Sequence, residues 1–227
     1  TPLRLQNFRC LLKKQLDQYI SDSSMLVYAS VLQGIETLKQ IEQEKYQQAI
    51  REKAEILEND TSSPSYGSED GDIKVVMFSD YQCSFCQKNE PILKQLVKND
   101  PGVQLIIKEF PILGDGSIIS AKAALSVYHL DKTKYEAFHS LLFNNIPGSE
   151  QDIVDLANQV DLDPEQLLLE MARPKYDEVL LANQQLGAEL GISGTPAFVI
   201  DGTLYPGALQ QDQLMDLIRL SRDRRGK

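Results

Sequence analysis

The stretch Val75-Val76-Met77-Phe78-Ser79-Asp80-Tyr81-Gln82-Cys83-Ser84-Phe85-Cys86 constrains this chain more than any other. An apolar run of strand type ends at two cysteines spaced C-x-x-C, and a stretch of helical character, Gln87 to Lys98, follows them. A strand that delivers two cysteines to the start of a helix is a thiol-redox arrangement. The helix N-terminus presents unpaired N–H groups and a partial positive charge, which favour a thiolate over a thiol. The spacing predicts Cys83 exposed at the tip. Cys86 would lie one turn further in, near enough to close a disulfide or to attack a mixed disulfide formed on Cys83. The plainer reading of the same residues is a pair of reduced core cysteines or half of a metal site, because C-x-x-C gains specificity only beside a βαβ pattern.

That pattern is present. Ile73 to Ser79 reads as a buried strand, and the helix after it carries Pro91, which should kink it. Asp100-Pro101-Gly102 is a turn, and Val103 to Phe110 is a second strand, completing βαβ. Residues 117–190 are helical in several pieces, with stripes at Ile118, Ala121, Ala124, Leu125 and Tyr128 and at Tyr135, Phe138, Leu141 and Leu142. Asp163-Pro164-Glu165-Gln166 is a helix start, and Gly191 ends the last helix of the block. Ala197 to Ile200, Asp201-Gly202 and Thr203 to Tyr205 spell a β-hairpin, and a closing helix runs from about Gln210 to Leu220.

Residues 1–58 read as helix almost throughout. Leu5, Phe8, Leu12, Leu16 and Tyr19 form one stripe, and Tyr28, Val31, Ile35, Leu38 and Ile41 a second. Ser21-Asp22-Ser23-Ser24 is expected to break the helix between them and to cap the next segment. Beyond Ile41 the apolar residues thin out, as in a solvated connecting helix. Two narrow stripes cannot sustain short helices alone. They either pack on the following domain or pair with a second copy, and the charged helix between favours self-pairing. Residues 59–72, rich in Ser, Gly and Pro, form the boundary, so the domains are expected at 1–58 and 73–227.

A formal net charge of −10 argues against nucleic acid or an anionic membrane as the main partner. No apolar run approaches the ~20 residues of a membrane span. The chain lacks an initiator Met and a signal-peptide pattern, which fits a processed, exported form. Of three cysteines, Cys10 stands apart, either as a small buried residue or at an intermolecular contact. With no second C-x-x-C, a four-thiolate zinc site is not available within the chain. His129 and His139, the only histidines, read as surface or packing residues.

The order βαβ, helical insert, hairpin, helix is that of the thioredoxin fold. Two segments carry a closer resemblance: Phe78 to Cys86, and Gly191-Ile192-Ser193-Gly194-Thr195-Pro196-Ala197-Phe198-Val199-Ile200 with Pro206-Gly207 after it. Over roughly residues 73–221 the chain resembles the DsbA-like branch of the thioredoxin superfamily. Within it, the chain most resembles the longer, oligomeric ScsC and Com1 type of Gram-negative bacteria. The implied fold class is α/β: a thioredoxin fold with a helical insert, preceded by an all-helical oligomerisation segment. The resemblance implies a cis Thr195–Pro196 bond whose loop binds an extended substrate peptide. It implies disulfide exchange at Cys83 and Cys86, as oxidase, isomerase or both, with the poise set by Ser84 and Phe85. Glu90 and Lys108 match charged positions around the site and could ease proton transfer to Cys86. Many relatives carry a buried Glu where this chain has Met77. The implied partners are cysteine-containing exported proteins, a membrane redox partner and further copies of the chain, as dimer or trimer through residues 1–58. The implied compartment is the periplasm, with any signal peptide removed. No cofactor or metal is expected for exchange. A copper-binding thiol protein is the competing expectation, since soft thiolates bind Cu(I).

Overall fold

The computed structural model describes the backbone of residues 2–226, and the side chains from Leu12 to Gly226 other than those at positions 16, 17, 19–21 and 23. Cys10 and most of the first stripe lie outside the described side chains. The chain divides into two compact units, residues 1–45 and 46–227. Helix α1 (Pro2–Glu52) supplies the first unit and the opening residues of the second. It is continuous through Ser21 to Ser24, where a break was expected. Serine and aspartate are mediocre helix formers rather than breakers, and no Gly or Pro stands among them. Hydroxyls further along show how the helix satisfies such groups: Ser30 Oγ donates to the Leu26 carbonyl and Thr37 Oγ1 to that of Gln33, each at 2.9 Å. The second stripe, Tyr28, Val31, Ile35, Leu38 and Ile41, is exposed along its length in the single chain.

The second unit is built on a five-stranded sheet of order β1 (Ser65–Gly67), β3 (Val103–Glu109), β2 (Ile73–Ser79), β4 (Ala197–Ile200), β5 (Thr203–Pro206). β2 and β3 are parallel, in register from Ile73↔Val103 to Ser79↔Glu109. Their connection is α3 (Ser84–Asn99), with Pro91 inside it. β4 runs antiparallel to β2, with Phe78 opposite Ala197. That register sets Pro196, the residue before β4, beside the point where β2 gives way to the cysteine loop. Asp201 and Gly202 both take positive φ, 49° and 71°, as a two-residue hairpin turn requires. The three-residue β1, antiparallel to β3 at the sheet edge, lies in the stretch expected to be loop.

Alternation along β2 and β3 divides the core. Ile73, Val75 and Met77, with Val103, Leu105 and Ile107, face α3 and most of the helical insert. The insert comprises α4 (Asp115–Leu130), α5 (Lys132–Asn145), α6 (Glu150–Gln159), α7 (Pro164–Met171) and α8 (Pro174–Glu189). Val76, Phe78 and Ile106 face the other way, onto Leu186 of α8, Leu190 just after it, and Ile50 and Leu57. Ile50 lies in the last turn of α1, and Leu57 in the short α2 (Ala54–Glu58). Residues 46–58, read from sequence as a connecting helix, are therefore partly core: burying each of these side chains contributes about 1.5–3 kcal/mol. Gly191 lets α8 turn back here. Its φ is +74°, and a Cβ would come within 2.6 Å of the Tyr46 ring.

Two cations, Lys108 and Arg222, tie distant segments of the unit together through ion pairs. On the face of Phe78 and Ile106, Lys108 is fully buried and donates to the Ile56 carbonyl at 2.8 Å and to Asp60 Oδ2 at 2.7 Å. Burial pushes the Lys108 amine below its usual range while Asp60 holds it up, and the Asp60 carboxyl is lowered to about 2. On α9 (Gln211–Arg224), Arg222 forks onto Asp72 and Asp100, tying together the entry to β2 and the end of α3 with four hydrogen bonds of 2.7–3.0 Å. Arg222→Ala should lower stability by about 1–2 kcal/mol after solvent screening, read from the urea midpoint. Lys108→Met should cost about 3 kcal/mol, because it strands the Asp60 carboxylate. The same variant should leave the thiol-exchange rate of the folded protein unchanged, since Lys108 lies on the face of the sheet away from the cysteines; a slowed exchange would contradict that placement.

Candidate active site

The loop between β2 and α3 is fixed by Asp80. Its buried carboxylate accepts from the Gln82 N–H at 2.8 Å through Oδ1, and from the Ile112 and Leu113 N–H groups at 2.8 and 3.1 Å through Oδ2. One side chain thus ties the loop after β2 to the loop after β3, at the same edge of the sheet. Cys83 follows in extended conformation as the residue capping α3, and its carbonyl accepts the Gln87 N–H at 3.0 Å. Cys86 lies in the first turn, with no exposed surface.

The Thr195–Pro196 bond is cis. The Cys83 S–H donates to the Thr195 carbonyl at 3.2 Å. Burial pushes the Cys86 thiol up to about 12, against the lowering effect of a backbone hydrogen bond from Asp80; the nearby Cys83 sulfur adds to the rise, and the Thr195 side chain opposes it. Thr195 therefore touches both sulfurs, through its carbonyl and through its side chain.

Cys83 is only 7% exposed, not the solvent-facing tip that the spacing predicts, because it packs into the core cluster that holds Tyr81 and Cys86. Ser84 and Phe85 take the exposed position instead, with Phe85 57% exposed. Beside them is a cavity of about 760 Å³ lined by Phe85, Lys88, Asn89, Ile92, Thr195 and Pro196. Lys88 Nζ stands 5.6 Å from the Phe85 ring centre. Asn89 fixes the far wall, donating to the Leu209 carbonyl at 2.6 Å and accepting the Leu209 N–H at 3.3 Å.

The structure brings together Cys83, Cys86, Ser84, Phe85, Thr195 and Pro196. It does not bring Glu90 and Lys108 to the sulfurs. The Glu90 carboxylate is turned to α5, where it accepts from Ser140 Oγ at 2.6 Å, and Lys108 is engaged behind the sheet. His129 is exposed, whereas His139 is buried and held down at about 3, chiefly by burial. Glu109, Tyr81, His139 and Tyr135 form a buried polar cluster beside the loop that sequence reading missed. The alternation 103, 105, 107, 109 along β3 was the available signal, since it points Glu109 inward. Among the described residues no group of three or more His, Cys, Asp or Glu could hold a metal ion, so a copper reading has only two thiols to rest on. Among the same residues no helix is long and apolar enough to cross a membrane.

The comparisons agree with this geometry. Residues 74–219 match the family described as DSBA-like thioredoxin domain. A thioredoxin-like oxidoreductase from Silicibacter pomeroyi DSS-3 is 38% identical, with a TM-score of 0.69, over 74% of this chain and 97% of that one. The catalytic domain of Proteus mirabilis ScsC is 31% identical, with a TM-score of 0.71, over 77% of this chain and 97% of that one. A longer form of the same ScsC, in a transitional conformation, is 26% identical, with a TM-score of 0.72, over 93% of this chain and 98% of that one. Disulfide bond formation protein D of Bacillus subtilis is 26% identical over 166 residues, 68% of this chain and 75% of the relative. Two cysteines at a helix start, a cis-proline loop on their sulfurs and this family match make one conclusion: the chain belongs to the DsbA-like thioredoxin-domain family and is a thiol:disulfide oxidoreductase.

Proposed function

We propose that the chain exchanges disulfides with cysteines of exported proteins, using Cys83 as the sulfur that meets substrate and Cys86 as the resolving thiol. The observation that carries this reading is the Cys83 S–H on the Thr195 carbonyl, next to cis-Pro196, at the rim of the Phe85 cavity. An extended peptide laid along Thr195 would bring its own sulfur to Cys83, with its backbone pairing as an added strand. A substrate thiolate attacks Cys83 of the enzyme disulfide, a mixed disulfide forms and the Cys86 sulfur departs. A second substrate thiolate then releases oxidised product. In the opposite mode, reduced Cys83 attacks a wrong substrate disulfide. The high position of Cys86 supports this division, because the buried thiol stays protonated while Cys83 engages substrate. Ser84 and Phe85, exposed between the cysteines, tune the redox poise. A disulfide pair of this kind belongs in an oxidising compartment such as the periplasm, with a membrane partner to reset it.

The exposed stripe of α1 supports self-association as a dimer or trimer through the N-terminal helix. Active sites gathered around a shared cleft suit misfolded substrates and hinder the reoxidising partner, which tilts the chemistry toward isomerisation.

Cys86→Ser should accumulate mixed disulfides that dissolve with reductant on non-reducing gels, while Cys83→Ser should form none; equal trapping by both would contradict the assigned roles. Deleting residues 1–45 keeps Ile50 and Leu57 in the core and should give a monomer by light scattering with its isomerase activity lost. Full isomerase activity in a verified monomer would sink the link between assembly and isomerisation.

A further inference from the structure

The polar cluster beside the loop has no part in exchange as described above. Tyr81 Oη donates to Glu109 Oε1 at 3.0 Å and lies 2.6 Å from His139 Nδ1, with Tyr135 Oη 3.2 Å from the same nitrogen. All four residues are buried. An acid buried without a cation is costly, so its retention calls for a use. Glu109 ends β3 directly opposite Ser79, the last residue of β2. Alternation places both on the face of Met77 and Ile107, the face that holds Cys86. Glu109 Oε2 and Ser79 Oγ are both buried without a hydrogen-bond partner among the described residues. The next residue, Asp80, gives its backbone hydrogen bond to the Cys86 sulfur. Glu109 and Cys86 therefore flank one short segment, Ser79 to Tyr81, with an unused carboxyl oxygen on the same side of the sheet.

We propose that Glu109 is the internal proton exchanger for Cys86, with Tyr81 and His139 as positioning residues that hold its other oxygen in place. The inference rests on the thiol-exchange reading above. In resolution, the Cys86 S–H proton passes to Glu109 Oε2 and the Cys86 sulfur attacks the Cys83 sulfur. The Cys83–substrate S–S bond breaks, the Cys83–Cys86 bond forms, and the substrate leaves as thiolate. In the reverse direction, a substrate thiolate attacks Cys83 and expels Cys86 as thiolate, which takes the proton back from Glu109.

The surroundings suit a carboxyl that works in both charge states. Burial raises Glu109 well above the usual carboxylate range, the Tyr81 hydrogen bond partly offsets this, and the Asp80 charge adds to the rise. His139 is neutral, and burial keeps the Tyr81 and Tyr135 phenols protonated. From α8, Asn183 donates to the Glu109 backbone carbonyl at 3.1 Å and leaves the carboxyl alone. So among the described residues no cation locks the carboxylate, while Tyr81 supplies a donor when the anion forms. A thiol pushed up to about 12 exchanges protons best with an acid that is itself raised toward it.

The test is the pH profile of resolution. Full-length protein is loaded at Cys83 with glutathione as a mixed disulfide, and glutathione release by Cys86 is timed across pH 5 to 9. In the native chain the rate should climb and then level off once Glu109 is ionised. Glu109→Gln should release glutathione at least tenfold more slowly at pH 8, its rate still rising about tenfold per pH unit, as expected for a thiol ionising alone. Glu109→Asp should restore a plateau. Tyr81→Phe, which keeps the acid and removes its donor, should move the plateau to higher pH, and serves if Glu109→Gln fails to fold. A Glu109→Gln profile identical to the native one, or a Tyr81→Phe profile with its plateau unmoved, overturns the inference while leaving the oxidoreductase intact. A native chain that never resolves the mixed disulfide overturns the assigned roles of Cys83 and Cys86 themselves.

Discussion

Three backbone N–H groups converge on the buried carboxylate of Asp80, and the site depends on that convergence. Two come from the loop after β3 and one from the loop that carries the cysteines. Loops at the end of a sheet are otherwise free to move independently, since their backbone groups have no ladder to join. Asp80 removes that freedom where β2 stops. The third wall, Thr195–Pro196, arrives from a distant part of the chain by the register of β4 on β2. A one-residue slip in that pairing would turn Phe198 and its neighbours inside out, so the hydrophobic pattern of β4 protects the position of the proline as well as the core.

Polarity is then graded across a few residues. Cys86 sits in a setting that suppresses its charge, while Cys83 meets a carbonyl and the head of a helix. The two sulfurs are chemically identical and acquire separate roles from their surroundings. Phe85 and Lys88 face outward and give the cavity an aromatic wall with a cation above it.

Much of this was legible in the sequence. The strands Ile73–Ser79 and Ala197–Ile200, the turn at Asp201-Gly202 and the capped start at Asp163-Pro164 all come from local chemistry, and local chemistry decided them. The cis bond at Thr195–Pro196 followed from the family resemblance rather than from local pattern. What was hidden depends on partners distant along the chain. Lys108 is buried because Asp60 and the Ile56 carbonyl wait for it 48 and 52 residues away, a pairing that no window on β3 reveals. β1 is three residues of Ser, Tyr and Gly with no strand signal of their own, recruited by the free edge of β3. Ser21-Asp22-Ser23-Ser24 marked a helix break by composition, yet the helix passes through them, because Ser and Asp are poor helix formers rather than breakers.

Two glutamines, Gln82 in the active-site loop and Gln87 in α3, bond the main chain of the insert. Gln82 donates to the Pro147 carbonyl and Gln87 to the Phe143 carbonyl, each at 2.8 Å. Both acceptors are main-chain oxygens, which every amino acid supplies. The specificity of these two contacts is therefore written in the loop and the start of α3, and not in the insert. Mutational drift at positions 143 and 147 leaves them intact as long as the backbone path is kept, whereas a change at Gln82 or Gln87 has no substitute. The insert is thus held to the redox centre in two ways, by its main-chain path at 143 and 147, which tolerates sequence change, and by the side chains of His139 and Phe143 packed on Tyr81, which do not.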